Sequence, residues 1–173
     1  MTTVTRILEK RDSAALYKFI IVEHFASVKM LHENSLDTFY LDEGSINGLA
    51  IGTFDERGRL VSVLLTSFEF SSGIVVTRGI YGKLGEHTID ALDLLSVECI
   101  KRDAIDLVFV MHEDKLEEFM SYHEMSSLGK QKPFINMTLP KGLRPKNKQV
   151  WEEFLGKNIP YDNLAIFRIT VKT

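Results

Sequence analysis

The stretch that decides the fold runs from residue 74 to residue 111 and reads IVVTRGIYGKLGEHTIDALDLLSVECIKRDAIDLVFVM. Ile74–Ile80 is rich in strand-forming residues, and residues from Glu86 to about Arg102 repeat apolar side chains at helical spacing (Ile89, Leu92, Leu95 and Cys99). Leu107–Met111 is wholly apolar, which is typical of a strand buried on both faces. A strand, a helix and a strand in this order predict a right-handed crossover between parallel strands.

Two more strands are predicted immediately upstream, at Gly48–Phe54 and Leu60–Phe70. Asp55–Gly58 joins them and has the composition of a hairpin turn. A second turn at residues 71–73 leads into Ile74–Ile80. The three strands are therefore expected to form an antiparallel meander. Phe68 and Phe70 put aromatic surface near the end of the second strand, which suits either the core or a face for a homo-oligomer or assembly partner.

The rest of the chain is predicted to add elements at both ends of this unit. A strand is expected at Thr3–Ile7, before a helix capped by Asp12, and Asp114 with Glu117 resembles a capping box that opens a helix to His123. The weaker elements are a helix at Ser35–Leu41, a strand near Phe134–Leu139, a helix near Asn147–Leu155 and a last strand at Leu164–Val171. We therefore predict one α/β (α+β) domain over residues 1–173, with a central mixed sheet of about six to seven strands flanked by helices.

Composition narrows the function classes. The 173 residues carry a formal net charge of −3, so no global charge attracts nucleic acid or an anionic membrane. Between Lys130 and Lys148 there are basic residues and no acid, which suits a solvated loop or a contact with a nucleotide phosphate, nucleic acid or an acidic partner. Aromatic residues are not interleaved through this segment, since Phe134 lies near its start and Trp151 beyond its end, which argues against nucleic acid.

Cysteine and histidine usage predicts neither a disulfide nor a metal site. Cys99 is the one cysteine in the chain, and no Cys/His cluster has zinc spacing. The first ten residues lack the apolar segment of a signal peptide, and no apolar run approaches the ~20 residues that span a bilayer. The expected location is cytoplasmic.

The loop between the predicted strand and helix carries a family resemblance. It reads Arg78-Gly79-Ile80-Tyr81-Gly82-Lys83-Leu84-Gly85. Together with the element order over nearly the whole chain, it resembles the GNAT acetyltransferase superfamily, whose loop is usually (Gln/Arg)-x-x-Gly-x-(Gly/Ala). The spacing departs from that pattern, since Tyr81 stands three residues after Arg78. Glycines and free N–H groups at a helix start suit a bound phosphate.

What the resemblance implies is an acetyl-CoA site built on this strand and loop. Acetyl-CoA would be the co-substrate, with its pyrophosphate on the turn Gly82–Gly85. The implied binding residues are Ile74, Val75, Val76 and Arg78 of the strand and Gly82, Lys83, Leu84 and Gly85 of the turn.

The resemblance also implies catalytic residues. In the family a tyrosine on the helix after the fifth strand often protonates the departing thiolate, and Tyr122 matches that position. The family setting Asn-x-x-Ala-x-x-Phe-Tyr is otherwise altered, with Lys115 in place of the asparagine. Glu69, or alternatively His112, is expected to act as the general base.

Two functions stay open at this point. The first is an acetyl-CoA-dependent N-acyltransferase that transfers directly to a small-molecule or peptide amine. The alternative is a catalytically inactive GNAT-like scaffold that serves as an interaction or structural (assembly) subunit, favoured by the altered loop spacing.

Overall fold

The computed structural model describes residues 2–23, 40–41, 48–69, 74–104, 106–130, 135–136 and 164–170. Seven strands form one sheet in the spatial order β1-β2-β3-β4-β5-β7-β6. Their bounds are β1 Val4–Ile7, β2 Gly48–Phe54, β3 Leu60–Glu69, β4 Ile74–Gly82, β5 Asp106–His112, β6 Ile135–Asn136 and β7 Leu164–Thr170. The α-helices are α1 Ser13–Tyr17, α2 Glu86–Lys101, α3 Glu113–Met125 and α4 Ser127–Lys130.

The sheet is mixed, as the sequence predicts. β1, β2, β3 and β4 pair antiparallel in chain order, which confirms the meander. β4 and β5, which precede and follow α2 in the chain, pair in parallel, which confirms the predicted parallel connection. β7 then pairs antiparallel with β5 and with β6. β5 therefore lies inside the sheet between β4 and β7, as its apolar sequence requires.

Two apolar cores cover the two faces of the sheet. The first contains buried residues of α2, α3 and the strands, including Leu92, Leu95, Cys99, Phe109 and Phe119. The second lies under α1 and the π-helical segment Lys18–Glu23 that continues it, and includes Leu16, Ile20, Val63 and Leu65. Cys99 lies in the first core with no exposed surface, as its place on the apolar stripe of α2 predicts.

Two local predictions need correction, and a third holds in part. Asp12 stands at the N-cap position of α1 as predicted, but its side chain makes no capping hydrogen bond; its carboxylate accepts hydrogen bonds from the Arg6 guanidinium at 2.7 and 2.8 Å and from the Glu9 N–H at 2.8 Å. α3 begins at Glu113, immediately after β5, so Asp114 lies inside the helix and is not its cap. β4 extends to Gly82, two residues beyond its predicted end, because this part of the strand still pairs with β3.

Several predicted features fall outside the described residues. They are the helix at 35–41 except Tyr40 and Leu41, the strand near 134–139 except Ile135–Asn136, the helix near 147–155, and most of the basic segment 130–148. Within the described ranges, no helix is long and apolar enough to cross a membrane. In that same part of the chain, no group of three or more His, Cys, Asp or Glu side chains could hold a metal ion.

Candidate active site

The main irregularity of the sheet is an opening between β4 and β5. The two strands pair from Ile74 opposite Asp106 to Thr77 opposite Phe109, and their ladder stops there. Beyond that point β4 continues against β3 only, and β5 continues against β7 only. Residues 78–82 of β4 therefore offer a strand edge that β5 does not cover, and we call this the β4–β5 opening.

A β-bulge lies at the start of the opening. Leu65 of β3 pairs with Gly79, while its neighbour Thr66 pairs with Thr77, so Arg78 is an extra residue on β4. The side-chain alternation changes there: Val75 packs in the first core, and beyond the bulge it is Ile80 that does. Bulges bend a strand and redirect its side chains, which explains why β4 leaves β5 at this point.

The predicted binding residues of β4 divide at the bulge. Ile74, Val75 and Val76 pair with β3 on one side and β5 on the other, so they have no open backbone edge. Val75 is also buried in the core. Arg78 is the bulged residue at the mouth of the opening; the structure describes its backbone but not its side chain. The open edge is therefore shorter than the stretch Ile74–Ile80 predicted for the acyl donor.

The fold itself requires a glycine at position 82. Its φ of +89° is a left-handed conformation that side chains disfavour. A Cβ there would also overlap the Val61 carbonyl oxygen of β3 and come within 2.9 Å of the Phe19 ring. This glycine lets β4 approach β3 closely, so its presence is not by itself evidence of a ligand.

Gly85 differs from Gly82 both in its backbone conformation and in the space available for a Cβ atom. It is the N-cap of α2 with an extended backbone (φ −178°), which any residue adopts. A Cβ would meet only the His87 imidazole, at 3.0 Å, and that side chain is able to turn aside. The Gly85 N–H donates to the Thr88 hydroxyl at 3.1 Å, and the Thr88 N–H donates to the Gly85 carbonyl at 2.9 Å. The start of α2 is thus fixed while Gly85 leaves space in front of it.

The loop Lys83–Gly85 connects the open edge of β4 to the start of α2. His87 closes over the loop, with its Nε2 atom 2.8 Å from the Lys83 carbonyl oxygen. The first N–H groups of a helix lack partners within the helix, and the helix dipole adds positive potential there. Lys83 is exposed beside this point, and Glu86 adds an exposed opposing charge in the first turn. The free N–H groups, the helix dipole and Lys83 together favour a bound anion, and the Glu86 carboxylate weakens that attraction.

Lys115 of α3 reaches across the opening, whereas the sequence marks it only as a departure from the family pattern. Its Nζ atom lies 3.3 Å from the Gly82 carbonyl oxygen and 3.5 Å from the Ile80 carbonyl oxygen. Burial lowers the pKa of this ammonium, and the nearby Glu118 carboxylate partly opposes that change. No sequence pattern reveals this contact, because it joins residues 33 and 35 positions apart.

Tyr122 lies on the same side of α3 as Lys115, since seven residues are about two helical turns, or ~10 Å along the axis. Between them Phe119 packs against Phe109 of β5, with ring centroids 4.9 Å apart. Phe109 is the last residue of β5 that pairs with β4. Tyr122 is partly exposed on this helix. Lys115, Phe119 and Tyr122 therefore share one side of α3, and Phe119 packs on β5 where its pairing with β4 ends.

The predicted general bases lie at different distances from the opening. Glu69 ends β3 opposite Ile74, so its backbone is four strand residues, or ~13 Å, from the bulge at Arg78. His112 ends β5 on the far side of the opening. The structure describes the backbones of these two residues but not their side chains.

Comparisons with known proteins were made at the level of sequence and of structure. No family model matches the sequence, and no curated protein matches it either. Solved structures do match, across nearly the whole chain, and among them are acetyltransferases of the GNAT family.

Three of these structures illustrate the likeness. An acetyltransferase of the GNAT family from Staphylococcus aureus is 10% identical, with 99% of this chain and 100% of that chain covered and a TM-score of 0.60. A GNAT family acetyltransferase from Streptococcus pneumoniae is 12% identical, with 99% and 100% covered and a TM-score of 0.62. A GNAT superfamily phosphinothricin acetyltransferase from Sinorhizobium meliloti, in complex with AcCoA, is 13% identical, with 99% and 89% covered and a TM-score of 0.62. At these identities the likeness is one of fold.

Proposed function

Because the chain has the fold of the GNAT acetyltransferases, we propose that it is an acetyl-CoA-dependent N-acyltransferase that uses the β4–β5 opening as its donor site. The observation that carries the proposal is the uncovered edge of β4 over residues 78–82, which leads directly into the start of α2. The phosphinothricin acetyltransferase with the same fold is in complex with AcCoA.

The shape of the opening fits the parts of such a donor. An extended chain with amide groups binds a free strand edge by main-chain hydrogen bonds, and the pantetheine arm of CoA is a chain of this kind. A pyrophosphate suits the start of a helix, where N–H groups and the dipole favour negative charge. In this chain the edge at Arg78–Gly82 would receive the arm, and Lys83, Leu84 and Gly85 would face the pyrophosphate.

The proposed reaction is direct transfer. The amine nitrogen of the acceptor attacks the thioester carbonyl carbon, the C–N bond forms, and the C–S bond then breaks. Tyr122 donates a proton to the departing thiolate, and the amine proton passes to a base. Glu69 is the base predicted from the sequence, and it would accept the proton directly or through water. The acceptor is a small-molecule or peptide amine.

Binding of the donor is tested by thermal and urea unfolding with acetyl-CoA and with CoA. A ligand at 100 times its dissociation constant stabilises a protein by about 2.7 kcal/mol. The absence of any stabilisation by either ligand at millimolar concentration would overturn the proposal. Pantetheine and adenosine, each without the pyrophosphate, serve as matched controls.

Catalysis is tested separately with Tyr122→Phe, which keeps the ring and removes the hydroxyl. The proposal requires a lower kcat with unchanged stabilisation by acetyl-CoA. Glu69→Gln should lower the rate in the same manner and shift the pH profile of kcat/KM. A Tyr122→Phe enzyme with the wild-type rate would remove that residue from the mechanism.

A non-catalytic interaction subunit is the second candidate. Two observations favour it: Lys115 already occupies acceptors on the β4 edge, and the apolar Val97 and Ile100 are 49% and 44% exposed on one side of α2. It requires that neither acetyl-CoA nor CoA stabilise the protein, together with self-association or a bound partner that Val97→Glu disrupts. A monomer at micromolar concentration that captures no partner would contradict it.

A further inference from the structure

Lys115 donates hydrogen bonds to backbone carbonyls of β4 that an extended ligand at the β4–β5 opening would need as acceptors. Carbonyl groups alternate in direction along a strand, so those of Ile80 and Gly82 point to the same side. Lys115 follows β5 on α3 and donates to both oxygens, at 3.5 and 3.3 Å. The ammonium therefore lies in the opening itself, along the edge that β5 leaves uncovered.

The ammonium is poorly compensated at this position. It is partly buried, and burial lowers its pKa. Among the side chains that the structure describes, no carboxylate forms an ion pair with it within 4.0 Å; Glu118, one turn along α3, acts on it only at longer range. Other charged or titratable residues near the opening by their place in the chain include Arg78 of β4, Lys83, Glu86 and His87 at the start of α2, and His112, Glu113 and Asp114 just before Lys115. Two long hydrogen bonds to neutral carbonyls offset only part of the cost of burying a charge.

We propose that Lys115 is an exchange residue: it covers the Ile80 and Gly82 carbonyls in the free protein and turns to the ligand's pyrophosphate when a CoA thioester enters. The two carbonyls then accept hydrogen bonds from the amide N–H groups of the pantetheine arm. This inference rests on the proposed function. The required movement is small, because Nζ already lies against Gly82, which immediately precedes the loop Lys83–Gly85, and the lysine stem is flexible.

The exchange makes Lys115 a specificity residue. A ligand that has both the pantetheine arm and the pyrophosphate donates to the two carbonyls in place of Lys115, and it gives the ammonium an anion with which to pair. A ligand with the arm alone must displace the ammonium without supplying that anion. Lys115 therefore favours CoA and opposes pantetheine, whereas a residue that only stabilises α3 would affect both ligands in the same direction.

The experiment compares Lys115→Met with the wild-type chain, using CoA and pantetheine as probes in concentration series read by thermal shift. CoA binding should weaken roughly 10- to 100-fold, since a hydrogen bond to a charged group is lost. Pantetheine binding should tighten about 3-fold or more, since the carbonyls are no longer occupied. Lys115→Arg, which keeps the charge, should retain most of the CoA affinity.

Two controls separate this effect from others. Lys101→Met removes an equal charge at the opposite end of α2, ~22 Å from Glu86, and should leave both affinities unchanged. Dephospho-CoA keeps the pyrophosphate and lacks the 3′-phosphate, so Lys115→Met should weaken it by the same factor as CoA.

Each remaining outcome counts against the inference. Equal weakening of CoA and pantetheine would make Lys115 merely structural, and unchanged binding of both would remove it from the site. A loss confined to CoA, with dephospho-CoA unaffected, would place the ammonium at the 3′-phosphate and overturn the assignment. Failure of the wild-type chain to bind CoA would instead overturn the proposed function itself.

Discussion

Replacement of Gly85 by aspartate should weaken CoA binding roughly 100-fold while changing the stability of the fold little. The backbone at Gly85 is extended, so an L-residue fits without strain, and its Cβ would meet only the His87 side chain. Aspartate is a good N-cap, worth a few tenths of a kcal/mol over glycine, and its charge adds about 0.3–1 kcal/mol through the helix dipole. The free energy of unfolding should therefore stay within about 1 kcal/mol of the wild-type value, or rise.

The same substitution should weaken the binding of CoA. A carboxylate at Gly85 would stand where the pyrophosphate is proposed to bind. Two like charges ~5 Å apart repel by about 3 kcal/mol at an effective dielectric constant near 20. That energy corresponds to a loss of affinity of roughly 100-fold. Gly85→Asn is the matched control, because asparagine has nearly the same shape, also caps helices and carries no charge.

The assay is urea unfolding of the two variants, with and without CoA, at low and high salt. Asp and Asn variants of similar stability should differ in CoA affinity by about 100-fold at low salt, and salt should reduce the difference by screening. If the two variants bind CoA equally well at low salt, the pyrophosphate does not lie at the start of α2, and the donor site proposed for this chain is wrong.

Three further predictions concern Gly82 and two buried side chains. Gly82→Ala should lower the free energy of unfolding by about 3 kcal/mol, from a left-handed backbone and overlap with Val61, and a loss under 1 kcal/mol in urea unfolding would contradict this. His123 has no exposed surface, neither of its ring nitrogens has a hydrogen-bond partner among the described residues, and burial lowers its pKa. The unfolded chain therefore binds a proton more readily, so stability should fall by up to ~1.4 kcal/mol per pH unit as the pH drops below ~6.5, and His123→Phe should remove that part of the slope. Burial raises the pKa of the Cys99 thiol to about 12, so a soluble aromatic disulfide should label it only as fast as the native protein opens; rapid labelling without denaturant would show that the first core is accessible.

The regular part of the fold could be predicted because its signals are local. β2 and β3 are rich in strand-forming residues and flank a strong turn, and the apolar spacing of α2 with the apolar run of β5 predicts a crossover. The mixed pairing then follows from rules of chain connection, and the seven strands agree with the six to seven expected. That the chain forms one domain, lies in the cytoplasm and associates with other copies or partners stays a prediction.

The parts that sequence reasoning missed depend on contacts between distant residues. The sequence predicts Gly82 as a loop glycine for phosphate, and its positive φ and its close approach to Val61, which require a glycine in any case, have no sequence signal. Asp12 stands at the predicted N-cap of α1, but its carboxylate binds the Arg6 guanidinium, which keeps the pKa of Asp12 low. Lys115 contacts the carbonyls of β4 only because the fold brings α3 beside that strand.

The extra residue at Arg78 also restricts how this chain can change in length. β4 supplies nine residues opposite eight of β3, and the odd one resets which side chains face each core. A single deletion in this segment can be absorbed by loss of the bulge, which keeps Ile80 in the first core but removes the bend that separates β4 from β5. Removing Arg78 is therefore expected to leave a folded protein without the open edge, which urea unfolding with and without CoA would reveal.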